Sequence, residues 1–336
     1  MRLSGFRRLL LLSAFLLQAS YSQSQSMDIG ISTGLTGFLG DLGGANYIGR
    51  PFFFDLETSL MKPLGALHFR YYAGDYFSIR GSFTYSGVAG NDSLIQPTSE
   101  FSPEWFRKYR NLSFQSSLIE GAITAELNFK RFQPGSKRYR IAPYLLAGIG
   151  VMHFNPKTEY NGALVELYPL HTEGQGFDSL DRKTYSLTQP VFPVGLGLRY
   201  NISSTLIFGF EFRNYFTLTD YIDDVSTEYA SQADFYANFS DPATAALAYE
   251  LSVRSDELDP EGIYDYITAP GQQRGDSEND QYFMIQISLS YLIFNNSVSS
   301  SGFGKRNFIF PHRVKAGNQM FNHIKGKQFY RNKSRN

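Results

Sequence analysis

The sequence predicts an all-β protein, an eight-stranded antiparallel transmembrane β-barrel with long surface loops and a C-terminal basic tail. Three observations carry this. Apolar and polar residues alternate with a period of two in eight separate segments, the pattern of strands with one apolar and one polar face. Most segments run ten residues or more, against about 5–6 for an ordinary soluble strand and about 9–11 for a tilted membrane-spanning one. The connections alternate long and short, the rhythm of a barrel with short periplasmic turns and long outer loops. Composition agrees: 16% of the 336 residues are aromatic, almost all Phe and Tyr, and only 18% are charged, which favours strands over a helical enzyme.

Residues 1–22 read as an export signal. Arg2, Arg7 and Arg8 form the basic start, LLLLSAFLL the apolar run, and Ser20-Tyr21-Ser22 the small-residue cleavage site before Gln23. The apolar run is too short to span a bilayer as a helix. With no cysteine in the chain, a disulfide framework and a lipid-attached Cys are both excluded. The barrel is expected over 23–294, exported to the cell outer membrane, with its tail at 295–336.

The alternation is clearest at 119–130, where Ile119, Ile123, Leu127 and Phe129 face one way and Glu120, Thr124, Glu126 and Lys130 the other. It recurs at 76–85, 205–213 and 281–294, and more weakly at 27–36, 64–73, 140–154 and 187–200. Long links at 37–63, 86–113, 155–186 and 217–280 take turns with short ones at Gly74-Asp75, 131–139 and 201–204. A soluble sandwich has no reason to sort its loops by parity. A secreted soluble barrel, apolar inside and charged outside, fits the same two faces. Strand length, loop parity and aromatic-rich apolar faces favour the membrane form.

Turned inward, the polar faces bring together His68, Arg70, Arg80, Glu120, Glu126, Arg199, Glu211 and Arg213. Such charges are costly against lipid, and eight strands enclose only enough space for side chains. A packed polar core is expected, and a general porin is not.

The 217–280 link opens with TLTDYIDDVS (217–226) and holds SDPATAALAYELSVRS (240–255), a helical pattern capped at Ser240. FLGDLGG (38–44), HTEGQG (171–176) and TDYIDDVS (219–226) each combine acid with glycine or a turn former at a strand end. Two readings stand for them. They can pack into a rim over the barrel mouth, or Asp41, Glu173, Asp220, Asp223 and Asp224 can gather a hard cation such as calcium. No EF-hand spacing is present, so the rim is preferred.

Nothing points to an enzyme or a cofactor. His68 and His153 lie in strands as barrel-filling residues, His312 and His323 lie in the tail, and His171 has Glu173 but no serine near in sequence. No phosphate-binding glycine motif follows a strand into a helix. Setting aside the three arginines of 1–22 and the nine basic residues of 305–336 leaves 19 basic against 31 acidic residues. An acidic body thus carries a basic, aromatic-bearing tail. Leaving the last of an even number of strands, that tail emerges in the periplasm. There it meets anionic lipid headgroups, peptidoglycan or acidic protein surfaces, or remains a solvated end, and nucleic acid is not its partner.

FLGDLGG, APYLLAGIGVMHFNP (142–156), TEGQG, FPVGLGLRY (192–200) and TDYIDDVS, in this order across 27–294, resemble the outer-membrane β-barrel family that includes PorG of the type IX secretion system. The resemblance implies a Bacteroidota-type outer membrane and association with a periplasmic ring of the PorK/PorN type. It implies no catalytic residue. Its signature positions are Gly40, Asp41 and Leu42, then Glu173, Gly174, Gln175 and Gly176, then Asp220, Tyr221, Asp223 and Asp224. The tail and the long 217–280 link depart from the family pattern and fit a paralogue with a different partner, and the alternative to a secretion component is a surface-exposed binding or adhesion barrel that uses the 217–280 loop.

Overall fold

The computed structural model describes residues 26–42, 58–97 and 99–295. The export signal and nearly all of the basic tail lie outside the described residues. Nine strands form one sheet: β1 (Ser26–Leu39), β2 (Lys62–Tyr72), β3 (Phe77–Asn91), β4 (Ser113–Asn128), β5 (Ile141–Tyr160), β6 (Ala163–Glu166), β7 (Thr188–Asn201), β8 (Leu206–Thr217) and β9 (Gln281–Asn295). Each barrel strand pairs antiparallel with its neighbours in sequence. β1 also pairs with β9 from Ser26↔Asn295 to Leu39↔Gln281, closing a barrel of eight strands. β6 is a four-residue flap on the outer end of β5, turned back at Asn161 and Gly162, both at positive φ.

The two faces resolve the choice left open by alternation. Ile123 is 62% exposed, Ile149 64% and Phe83 56%, whereas Glu126 and Arg80 are at most 1% exposed. The apolar side faces out and the charged side faces in. That is the arrangement lipid requires, since an outward aliphatic belt costs nothing in hydrocarbon and charges there are expensive. The ladder closes on itself through all eight barrel strands, as a spanning sheet requires.

Apolar clusters seal both ends of the lumen. At the end with tight turns (73–76, 129–140 and 202–205), Tyr72, Phe132, Ala142, Ile207 and Leu292 pack together. Phe132 is carried there by the 129–140 turn, which the Asn201 side-chain amide holds by donating to the carbonyls of Gln133, Ser136 and Tyr139. At the other end a larger core joins strand residues such as Leu118, Met152 and Tyr282 to loop residues such as Leu42, Ile222, Val225 and Phe235. The outer loops are therefore a folded cap with its own interior.

Three helices build that cap: α1 (Pro103–Arg110), α2 (Gln232–Asn238) and α3 (Pro242–Ser252). α1 starts on Ser102, whose hydroxyl accepts from the Trp105 amide, and α2 on a reciprocal Ser231–Asp234 capping box. The helix expected at 240–255 forms as α3, capped by Asp241 and not by Ser240, because the Asp241 carboxylate accepts from the Ala243 and Thr244 amides. A second correction concerns His153, which is exposed near the outer end of β5 and does not fill the barrel. It shares a face with Ile149 and Val151, so the period-two pattern itself turns it outward.

Candidate functional site

The lumen is filled by one ion network. Glu126 on β4 is its hub, with Arg199 at 2.6 Å, Arg70 at 2.9 Å and Arg80 at 3.1 Å. The Ser78 hydroxyl also donates to it at 2.7 Å. Arg80 reaches Glu211 at 2.9 Å, and Arg213 pairs with the same carboxylate. Arg70 also meets Asp28 at 3.2 Å, to which the Tyr72 hydroxyl donates. Glu120 accepts from Tyr282. Every inward residue predicted from the strand faces is buried here. Asp28 was missing from that set, because its neighbours on the inner face of β1 are Gly, Ser and Thr, which blur the alternation. With it, four arginines face four carboxylates among the described residues, so their formal charges balance.

In the cap, the three signature stretches meet. Glu173 accepts from the Ser226 amide at 2.8 Å, from the Thr227 amide and from the Thr227 hydroxyl at 2.7 Å, and pairs with Arg274 at 3.1 Å. Asp223 accepts from the amides of Leu42 and Val225. Asp224, at φ 66°, accepts from the Thr172 and Tyr185 hydroxyls. Tyr221 stacks on Tyr185 with ring centroids 4.5 Å apart. Gln175 accepts from the Glu173 amide, and Gly174 and Gly176 turn the chain at φ +71° and +81°, a conformation that other L-residues reach only at a cost. Gly40 admits the close approach of Asp280, whose carboxylate oxygen would lie 2.0 Å from an added Cβ.

The residues that complete this knot were not visible in the sequence. Arg110 forks onto Asp92 at 2.8 and 3.0 Å and donates to the carbonyls of Asp41 and Arg274. Arg274 donates in turn to the carbonyl of Asp224. Asp276 and Asp280 join the acids of the rim, the Asp276 amide donating to Asp41 at 3.0 Å. Arg–Asp pairs are common in any loop, and no spacing singles these out.

The rim acids are electrostatically crowded. Burial pushes Asp41 up to about 7, with the Asp276 carboxylate adding to it and Arg110 opposing. Burial likewise takes Asp220 up to about 8, Asp41 and Asp276 adding to it and the Ser226 hydroxyl opposing. Asp224 rises to about 6, because burial outweighs Arg274 and its two hydroxyl donors. Asp223 and Asp280 stand well above the ordinary carboxylate range, through burial first and neighbouring aspartates next. His171 packs among the rings of Tyr168, Phe177 and Phe239.

Beside the rim lies a cleft of about 610 Å³. Arg107, Arg110 and Phe106 form one wall, Tyr229 and Tyr266 another, and Asp41 and Asp276 its edge.

The family model for a domain of unknown function (DUF6089) matches residues 7–240. None of the curated proteins matches the sequence. Among solved structures, the chain is similar to a major outer membrane protein from Thermus thermophilus, at 8% identity and TM-score 0.35, over 80% of this chain and 98% of that one. It is similar also to Neisserial surface protein A, at 8% identity and TM-score 0.32, over 80% and 99%. The attachment invasion locus protein Ail of Yersinia pestis, in complex with the heparin analogue sucrose octasulfate, matches at 8% identity and TM-score 0.32, over 80% and 97%.

Proposed function

The chain belongs to the DUF6089 family, whose model covers well over half of it, and from that premise we propose that it is a non-conducting outer-membrane barrel that works by binding through its outer cap. The observation that carries this reading is a filled lumen beneath a built cleft. A conduit needs an open path, and here four arginines and four carboxylates close it between two apolar seals. The cleft, by contrast, sets the Phe106, Tyr229 and Tyr266 rings beside Arg107, with Arg110 already bound to Asp92 behind them, a wall suited to a ligand with a flat or apolar body. The lipid-facing belt holds the barrel in the outer membrane, with the tight turns in the periplasm and the cap on the cell surface. No catalytic step and no cofactor belong to this reading.

A second reading places the protein in the type IX secretion machinery, contacting the periplasmic ring. Two observations favour it. Three of the five stretches that carry the sequence resemblance, those of Leu42, Glu173 and Asp223, meet in one knot of the cap. On the opposite side, Arg131, Arg138 and Arg140 lie over the rings of Tyr139 and Tyr200 at the tight turns, a basic aromatic surface facing the periplasm. Deletion separates the two readings. Loss of a cell-surface interaction with cargo secretion intact supports cap binding. Loss of cargo secretion, together with recovery of a ring lipoprotein in mild detergent, supports the secretion role. A deletion strain unchanged in both sinks both.

A further inference from the structure

We propose that the outer rim holds a divalent cation of the calcium class between Asp41, Asp220 and Asp276. The inference is independent of what the cleft binds. The three side chains come from three different segments: Asp41 follows β1, Asp220 follows β8, and Asp276 precedes β9. One carboxylate oxygen from each lies within 4.8 Å of the other two. Calcium binds oxygen at about 2.3–2.6 Å, so two oxygens on opposite sides of one ion stand about 4.6–5.2 Å apart. The triad therefore fits around a single ion without movement of the backbone.

A cluster of acids alone does not make a site, and Asp220 supplies the independent observation. The residue is only 8% exposed, and both of its carboxylate oxygens are cut off from solvent without a hydrogen bond of ordinary length, the Ser226 hydroxyl standing nearby as a weak donor. A buried carboxylate with two empty oxygens is among the most expensive groups a fold can contain unless a cation or a proton meets it. Its neighbours are largely committed, although one Asp280 oxygen also lacks a partner. Asp223 spends its oxygens on the Leu42 and Val225 amides, and Asp280 gives one to the Ile222 amide. Arg110, the cation that acts on Asp41 and Asp223, is forked onto Asp92. One Asp220 oxygen thus lies close to an oxygen of Asp41 and one of Asp276, where a divalent ion would relieve the mutual repulsion.

The donor set selects the ion. All ligands are hard carboxylate oxygens with no His or Cys, which disfavours zinc and the later transition metals. Three carboxylates with water completing the shell suit the 6–8 ligands and loose geometry of calcium better than the strict octahedron of magnesium. Ion binding would tie the end of β1 to the two ends of the 217–280 link and set the edge of the cleft, of which Asp41 and Asp276 are part.

The test uses the full chain in detergent micelles, stripped with EDTA and titrated with calcium chloride by calorimetry. We expect one saturable site with a dissociation constant of about 0.1–1 mM, the range of extracellular calcium modules. Asp276→Asn, at an exposed position where folding is not at stake, should weaken binding by about tenfold or more, because affinity follows ligand charge. Asp220→Asn should do the same, and Asp223→Asn, a buried non-ligand, should change it by less than about threefold. If Asp220→Asn does not fold, Asp276→Asn decides. The proposal fails if the wild type shows no saturable heat up to about 10 mM calcium, an order above the expected range, or if Asp276→Asn binds as tightly as the wild type. Either result would mean that a proton, not a cation, meets Asp220.

Discussion

Replacing Glu126 by Gln should destabilise the barrel by about 3–5 kcal/mol, the usual cost of removing one partner of a buried pair. Glu126 is fully buried and faces three guanidinium groups within 3.1 Å. At an effective dielectric near 20, each such pair is worth about 4 kcal/mol of attraction at 4 Å before desolvation is counted. Gln keeps the volume and one acceptor but removes the charge that all three share, leaving the lumen one positive charge in excess. With a urea slope of about 2 kcal/mol/M, the loss appears as a midpoint lower by about 1.5–2.5 M. The assay is urea unfolding of the protein in lipid vesicles, followed by circular dichroism and by the shift of the folded barrel on unheated gels. Arg199→Met added to Glu126→Gln should recover part of the loss by removing one stranded cation. A midpoint shift below about 0.5 M, or a double variant less stable than Glu126→Gln alone, would show that the arginines are solvated and that the lumen is not sealed.

Further outcomes follow from the same geometry. Glu173→Ala should unfasten the cap while sparing the barrel, at a cost of about 3–5 kcal/mol, since it strands Arg274 and the Ser226 and Thr227 amides. Trp105 is the single tryptophan and packs against Phe106, Tyr109 and Tyr264, so its fluorescence should report that early step ahead of the barrel transition. Asp224 has a folded value near 6, above the ordinary carboxylate value of about 4, so the folded cap binds its proton more tightly than the unfolded chain. Its contribution is full below about pH 4 and is lost as pH rises through 6. Asp224→Asn should therefore lower the slope of cap stability between pH 4 and 7 by the Trp105 signal, the remaining slope coming from the other raised rim acids, and a slope unchanged from wild type would count against this. In planar bilayers the wild type should give no steady single-channel current, and regular conductance steps would refute the filled lumen.

The legibility of this chain divides along the barrel axis. The charged interior could be named residue by residue, from His68 to Arg213, because every strand position has only two possible environments and strict alternation reveals which residues share one. Where the inner face of β1 carries small residues, the signal thinned and Asp28 escaped it. The alternation at 140–154 is weak in the same way and suggests a barrel-filling His153, whereas its parity with Ile149 and Val151 turns it out. The acid-bearing loops could be recognised as strand-end stretches from their turn formers. Their closing partners could not: the Asp276 amide reaches Asp41 across 235 positions and Arg110 reaches the Arg274 carbonyl across 164.

What the sequence determined by itself is thus the barrel: strand number, strand length, loop parity and the composition of the two faces. These depend on nearest neighbours along the chain and on the contrast between lipid and lumen. Tertiary structure alone decided which face was outer, that Asp28 neutralises the lumen, and that the long loops fold into a cap whose acids are buried. It also decided that Asp220 is left with two unpaired oxygens beside Asp41 and Asp276. The reason is physical. An alternating pattern is written locally, whereas the partner of a buried charge is chosen by chain closure and by the cost of taking that charge out of water, neither of which any short stretch of sequence contains.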